Sequence, residues 1–171
     1  IGCGLIGSSL ARAIKKYDLC ENLVSCNRSE STNKKVLELK IVDQASSDIK
    51  KMVHDSDLVI VATPLSSYKE VMLNIKDSLK GDMILSDVGS VKKNVINLVE
   101  KLIPKDISWI PTHPIAGTEE SGPGAGFADL FKNRWCIFTP SKQAKKEDIS
   151  KLKKFWQKIG SKIDTMNPDD H

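Results

Sequence analysis

The stretch Ile1–Ile14, IGCGLIGSSLARAI, decides the fold. Gly2, Gly4 and Gly7 stand in G-x-G-x-x-G spacing, and Ile6, Leu10, Ile14 and Tyr17 follow at helical intervals, so Leu5–Tyr17 reads as an amphipathic helix. Ile1 reads as the last residue of a strand. A glycine turn between a strand and a helix is the context in which this spacing has physical meaning. Gly2 permits the tight turn, Gly4 lets a pyrophosphate approach the backbone, and Gly7 lets the helix pack closely on the sheet. The first amides of the helix, at Leu5, Ile6 and Gly7, then offer unpaired N–H groups and the positive end of the helix dipole to phosphate. The expected ligand is a dinucleotide.

Outward from this turn, short apolar runs alternate with helix-period segments. Strands are expected at Leu23–Cys26, Ile41–Asp43, Leu58–Ala62, Met83–Leu85, Trp109–Ile110, Trp135–Phe138 and Ile163–Met166. Helices are expected at Ser31–Leu39, Ser66–Leu79, Val91–Ile103 and Ile149–Ile159. This alternation implies an α/β, Rossmann-type, doubly wound and mostly parallel sheet. Ligands of such sheets bind beyond the carboxyl ends of the strands, so the loops after strands carry the information.

Bulk properties narrow the classes. Apolar content of 40% and charged content of 28% fit a globular protein, and no apolar run approaches the roughly 18 residues of a membrane span. The net charge of +4 comes with lysines between Lys142 and Lys162, which read as a solvated helix face; nucleic acid is not expected as a partner. Cys3, Cys20, Cys26 and Cys136 form no C-x-x-C pair. Cys3, Cys26 and Cys136 lie in apolar runs, which suggests buried free thiols, no metal and a cytoplasmic location. The chain opens without Met, so a preceding segment is expected. Asn167-Pro168, with acids behind it, reads as the start of a further element. A dinucleotide-binding domain over residues 1–166 and the beginning of a second unit at 167–171 are therefore expected.

Two segments bear on which dinucleotide binds. An NAD-binding domain usually ends its second strand in an acid that takes the ribose 2′-hydroxyl. Here SCNRSEST places Asn27 at that point, followed by Arg28, Ser29, Ser31 and Thr32. Loss of the carboxylate and gain of charge-assisted donors favour NADP over NAD. The strand ending in DLVIVATP delivers Ala62, Thr63 and Pro64 to the same edge, small enough for a ribose or nicotinamide to lie against the backbone.

Chemistry is carried by SDVGSVK, Ser86–Lys92, and THPIAGTEESGPGAGF, Thr112–Phe127. Asp87 and Gly89 fall on the cofactor side of the first. Ser90 can hydrogen-bond both an imidazole and a substrate hydroxyl. His113 is the side chain suited to take a hydroxyl proton near neutral pH as hydride leaves. Lys92 reads either as a contact to a cofactor phosphate or as a surface lysine. One of Glu119 and Glu120 reads as orienting a substrate-binding cation or gating the pocket, or else the two read as a solvated loop pair. Gly122, Gly124 and Gly126 suggest positive φ or close packing. His54 reads as solvated.

Together, IGCGLIGSSLARAI, DSDLVIVATP, SDVGSVK, PTHPIAGTEESGPGAGFADLF and NRWCIFTP resemble the nucleotide-binding domain of the prephenate/arogenate dehydrogenase family over essentially the whole chain. The resemblance implies NAD(P)-dependent oxidative decarboxylation of prephenate or arogenate in tyrosine biosynthesis. It implies catalysis by His113 and Ser90, with Gly117, Thr118 and Glu119 on the substrate side. His171 matches a histidine at the start of the family's helical C-terminal domain, which this chain lacks; it reads as a substrate contact or only as a helix-start residue. A homodimer, and little turnover by this chain alone, are also implied. Two other functions stay open: another NAD(P)-dependent dehydrogenase of small hydroxy acids, and a dinucleotide sensor without catalysis.

Overall fold

The computed structural model describes residues Ile1–His171. Helix α1 (Leu5–Lys16) follows the glycine turn, then β1 (Val24–Cys26), α2 (Glu30–Glu38), β2 (Gln44–Ser46), α3 (Ile49–His54), β3 (Leu58–Val61), α4 (Tyr68–Ile75), β4 (Ile84–Asp87), α5 (Lys93–Glu100), β5 (Ser108–Pro114), β6 (Trp135–Phe138), α6 (Lys146–Lys158) and β7 (Lys162–Thr165). Strands β3, β4 and β5 run parallel in the order β3-β4-β5-β6-β7; β6 pairs antiparallel with β5, and β7 pairs parallel with β6. The expected α/β, Rossmann-like and mostly parallel architecture is the one observed.

Alternation along the strands explains the two-sided core. In β4, Leu85 faces one apolar cluster with Tyr68, Met72, Val95, Val99 and Trp109, whereas Ile84 faces another with Leu10, Ile14, Phe138, Leu152 and Trp156. Successive strand side chains point to opposite faces, so each face is covered by its own helices, α4 and α5 on one and α1 and α6 on the other. In α6, Leu152 and Trp156 are buried and most of the lysines are exposed, as a solvated helix face requires.

A separate pair, β1 and β2, is parallel. Ile1 and Gly2 join the two sheets. Ile1 donates to the Ile60 carbonyl and accepts from the Ala62 amide, and Gly2 donates to the Cys26 carbonyl. Next to this link lies a mostly apolar cleft of about 460 Å³, lined by Leu10, Ile14, Leu23, Leu58 and Ile60 among others. It touches Gly2, Gly7 and Ala62, and His113 does not line it.

Two expectations are corrected. The strand expected at Ile41–Asp43 forms at Gln44–Ser46 instead. Ile41 and Val42 are buried against Cys3, Ala11 and Val36, while Asp43 takes the Leu23 amide and Lys15; the pairing strand itself is polar and partly exposed, so it has no apolar signature. The strand expected at Trp109–Ile110 extends to Pro114, so His113 is a strand residue and not part of a loop. No helix is long and apolar enough to cross a membrane. Cys3, Cys26 and Cys136 are buried free thiols, and Cys20 is exposed.

Candidate active site

The glycine turn is built as its spacing requires. Gly2 has φ +89°, and a Cβ there would lie 2.9 Å from Thr63 Cγ2 and 3.0 Å from the Ala62 carbonyl oxygen. A Cβ on Gly7 would lie 2.0 Å from the Gly2 carbonyl oxygen. A Cβ on Gly4 would meet nothing within 4 Å, so that side of the turn is open. Helix α1 has no side-chain cap and no acid in its first turn, and the Leu5, Ile6 and Gly7 amides donate to nothing in the chain. Free amides, an open approach and an uncompensated positive dipole end fit the phosphates of a dinucleotide. Ala62 and Thr63 pack against the turn, and Pro64 is exposed beside them.

Asn27 needs correction as a cofactor contact. It is buried, and its Oδ1 accepts from the Cys3 amide at 2.7 Å while its Nδ2 donates to Ser25 Oγ and Asn33 Oδ1. The carboxamide thus shapes the glycine turn from beneath. Arg28, Ser29 and Ser31 are exposed beside it, Thr32 is half-buried, and Arg28 has no ion-pair partner in the chain.

Asp87 and Lys92 also depart from expectation. Both side chains are 0% exposed and are paired, with Lys92 Nζ 2.8 and 2.9 Å from the two carboxylate oxygens. Lys92 is neither a surface lysine nor free to reach a phosphate, and the Asp87 carboxylate faces inward rather than toward a cofactor. Asp87 also accepts from Tyr68 Oη at 2.9 Å, the Gly89 amide at 3.0 Å and the Thr112 amide at 3.2 Å. The Gly89 N–H is therefore committed as well. Burial pushes the Asp87 carboxyl up and the Lys92 ammonium down, each opposed by the other's charge. A carboxylate surrounded only by donors is in the ionised form, since a protonated oxygen would face another donor. Removing one partner of such a pair typically costs about 3–5 kcal/mol. The available sequence signal was an acid closing the apolar run MILSD with a lysine five residues on; nothing in it identified Tyr68 or Thr112 as partners.

His113 stands at the carboxyl end of β5, one residue beyond Thr112, and is half-buried. Its Nδ1 lies 2.9 Å from Nε2 of His171, with the rings tilted by 55°. His171 is brought there by a terminal turn in which Asn167 accepts from the Asp170 and His171 amides, and by the Lys93–Asp169 ion pair. The expected Ser90–His113 hydrogen bond is absent. Ser90 is exposed on the loop between β4 and α5, and the partner of His113 is His171. Gly117, Thr118, Glu119 and Glu120 are exposed just beyond β5, and Thr118 Oγ1 accepts from the Glu120 amide. His54 is exposed and lies beside Asp55.

Burial, then His171 and Lys92, hold the His113 imidazolium down to about 4 from an ordinary 6.5. The sign for stability follows. Between these values the unfolded chain binds the proton and the folded chain does not, so acid favours unfolding. Unfolding midpoints in urea are expected to fall as pH drops from 6.5 toward about 4. The fall should be shallower in His113→Asn; equal slopes for the two proteins would refute this assignment.

The loop after β5 packs back on α1. A Cβ on Gly126 would lie 2.2 Å from Ser8 Oγ and 2.7 Å from the Ser9 amide, so only glycine allows this approach. The Phe127 amide donates to Ser9 Oγ at 3.1 Å, Arg12 donates to the Pro123 carbonyl at 3.2 Å, and Lys16 pairs with Asp129. That ion pair is exposed and contributes little; the close packing anchors the loop. Gly122 has positive φ at +82°, and Gly124 has neither constraint.

The chain as a whole is similar to known proteins. Residues 10–165 match the family model described as prephenate dehydrogenase, nucleotide-binding domain. A cyclohexadienyl dehydrogenase of Zymomonas mobilis is 37% identical over 171 residues, covering 100% of this chain and 58% of that protein. The crystal structure of prephenate dehydrogenase from Aquifex aeolicus in complex with hydroxyphenyl propionate and NAD+ superposes with TM-score 0.92 at 26% identity, over 99% of this chain and 59% of that one. Synechocystis arogenate dehydrogenase superposes with TM-score 0.87 at 27% identity, over 99% and 59%. The chain thus spans less than two thirds of the length of these relatives. On the extent of these matches, the chain belongs to the prephenate dehydrogenase family, as its nucleotide-binding domain.

Proposed function

We propose that this chain is the cofactor-binding part, residues 1–166, of an enzyme that oxidatively decarboxylates prephenate or arogenate, with residues 167–171 leading into a second unit. The observation that carries the reading is His113, unprotonated at neutral pH and held by its Nδ1 at the carboxyl edge shared with the glycine turn. With the Nδ1 proton donated to His171, Nε2 is the acceptor for the substrate's ring hydroxyl. A bound nicotinamide dinucleotide supplies the hydride acceptor. As the hydrogen on the carbinol carbon departs with its electron pair, His113 takes the hydroxyl proton and the C–O bond becomes a carbonyl. The ring carboxylate then leaves as carbon dioxide, its bonding electrons aromatise the ring, and the phenolate oxygen recovers the proton from His113. No net proton is released. Ser90, exposed at the same edge, orients the hydroxyl, and Gly117, Thr118 and Glu119 border the substrate's side chain. The test is turnover of prephenate, arogenate and short 3-hydroxy acids by the complete protein, followed by reduced nicotinamide. Turnover of the hydroxy acids alone would overturn the reading.

The finer cofactor choice in this reading is NADP. No carboxylate stands at the end of β1, where Asn27 is turned inward, and the exposed Arg28, with Ser29, Ser31 and Thr32, supplies donors suited to a 2′-phosphate. NADP is expected to bind more tightly than NAD, and Arg28→Ala to weaken NADP by about 10-fold, as loss of one charge-assisted contact does, with NAD little changed. Tighter NAD binding by the unaltered protein would refute the choice.

A further inference from the structure

The ion pair of Asp87 and Lys92 is wholly buried, yet it ties the Ser90 loop to the end of β5 that carries His113. The Asp87 carboxylate binds the Gly89 amide and Lys92 Nζ, which bracket Ser90 in sequence, and the Thr112 amide, which adjoins His113. Thr112 Oγ1 returns a hydrogen bond to the Asp87 carbonyl at 2.5 Å, and Tyr68 adds a donor from α4. Resting on the function proposed above, we infer that Lys92, through its buried pair with Asp87, is a positioning residue: it holds the Ser90 loop against the end of β5 and sets a fixed positive charge behind His113.

A purely structural role is the competing reading, and physics separates the two. A buried ion pair is a poor source of stability, and neutral replacements of similar volume are often tolerated. An ion pair that served only packing would be exchangeable without effect on the imidazole. One that orients charge would not be, because an interaction across a dry interior is weakly screened. Of the charges around His113, His171, from the terminal turn, opposes its protonation more strongly than Lys92 does. On β6, Cys136 sits opposite Pro114 with its thiol pushed up by burial, and so stays neutral. Lys93 is spent on Asp169, and Glu119 and Glu120 are exposed. Lys92 opposes protonation of both His113 and His171, whereas Asp87 favours it at His171.

The test uses the complete protein with Asp87→Asn/Lys92→Met, which removes both charges and leaves one acceptor oxygen, enough for either the Gly89 or the Thr112 amide. Two readouts are taken on folded protein: steady-state kinetics, and the His113 imidazole titration by NMR. The expected result is a fall in kcat of about 10-fold or more, with cofactor KM nearly unchanged and the His113 midpoint moved to higher pH. An unmoved midpoint overturns the inference, whatever happens to the rate. Lys92→Met alone is the second arm, and serves if the double variant does not fold. It removes the positive charge whether or not the buried Asp87 then takes up a proton, so the midpoint is again expected at higher pH, and an unmoved midpoint overturns the inference. If the unaltered enzyme turns over neither prephenate nor arogenate, the proposed function fails, and the titration still decides the role of Lys92.

Discussion

Replacing His113 with Asn in the complete enzyme is expected to lower kcat by roughly 1000-fold, within the range contributed by a positioned general base and equivalent to about 4 kcal/mol of barrier. Asn approximates the size and polarity of the imidazole but does not accept a proton at neutral pH. The affinity for dinucleotide is expected to stay within about 2-fold, because the free amides proposed to meet phosphate belong to Leu5, Ile6 and Gly7 on another element. Kinetics and equilibrium binding on the same preparation check both halves. If kcat stays within a few-fold of the unaltered enzyme, roughly under 1 kcal/mol, His113 is not the base. If kcat and affinity fall together, the histidine is holding the fold and not the reaction.

The second large effect is expected from the glycine turn, where two substitutions should part company. Gly7→Ala drives a methyl group to 2.0 Å from the Gly2 carbonyl oxygen. That oxygen cannot retreat, because Gly2 is fixed by its bond to Cys26 and is backed by Ala62 and Thr63. Helix α1 must therefore lift from the sheet. Overpacking usually costs about 1–3 kcal/mol, and a clash this deep against backbone is expected at or above that upper value. Cofactor binding should fall with stability, since the lifted helix carries the phosphate-facing amides. Gly4→Ala meets nothing within 4 Å. It should leave the unfolding midpoint nearly unchanged, within about 0.5 kcal/mol, as surface substitutions do, and lower dinucleotide affinity because the methyl group fills the side left open for the ligand. Urea denaturation and binding titrations of both variants give the comparison. Equal loss of stability in the two would contradict the assigned roles.

What the sequence made legible was local or periodic. The glycine spacing, the helix register of Leu10 and Ile14 and the β-branched run before Ala62 each draw on a few neighbouring residues, and the sheet followed from their alternation. What it hid depends on distance. His171 lies 58 residues from His113, and no pattern joins them. The place of Asn27 at the end of β1 suggests a ribose contact, but a carboxamide, unlike a carboxylate, both donates and accepts. That let it satisfy Cys3, Ser25 and Asn33 in the interior. Lys92 sits in VKKN, between an exposed Val91 and an exposed Lys93, so its surroundings in sequence are those of a surface residue; only the packing of β4, α4 and β5 around it turns it inward. The polar strand Gln44–Ser46 went unseen because an edge strand need bury little.

The packing of the Gly126 loop on α1 has a consequence for the order in which the molecule assembles. The bonds from Arg12 to Pro123, Lys16 to Asp129 and Ser9 to Phe127 join residues 111, 113 and 118 positions apart, the longest separations among the chain's hydrogen bonds. Closing so large a loop adds little to its final free energy, because the entropy of closure grows only with the logarithm of length. It does delay the event, since chains reach distant contacts more slowly than near ones. The docking of this loop on α1 is therefore expected late in folding, and pulse-labelled hydrogen exchange at the Phe127 amide during refolding would check it.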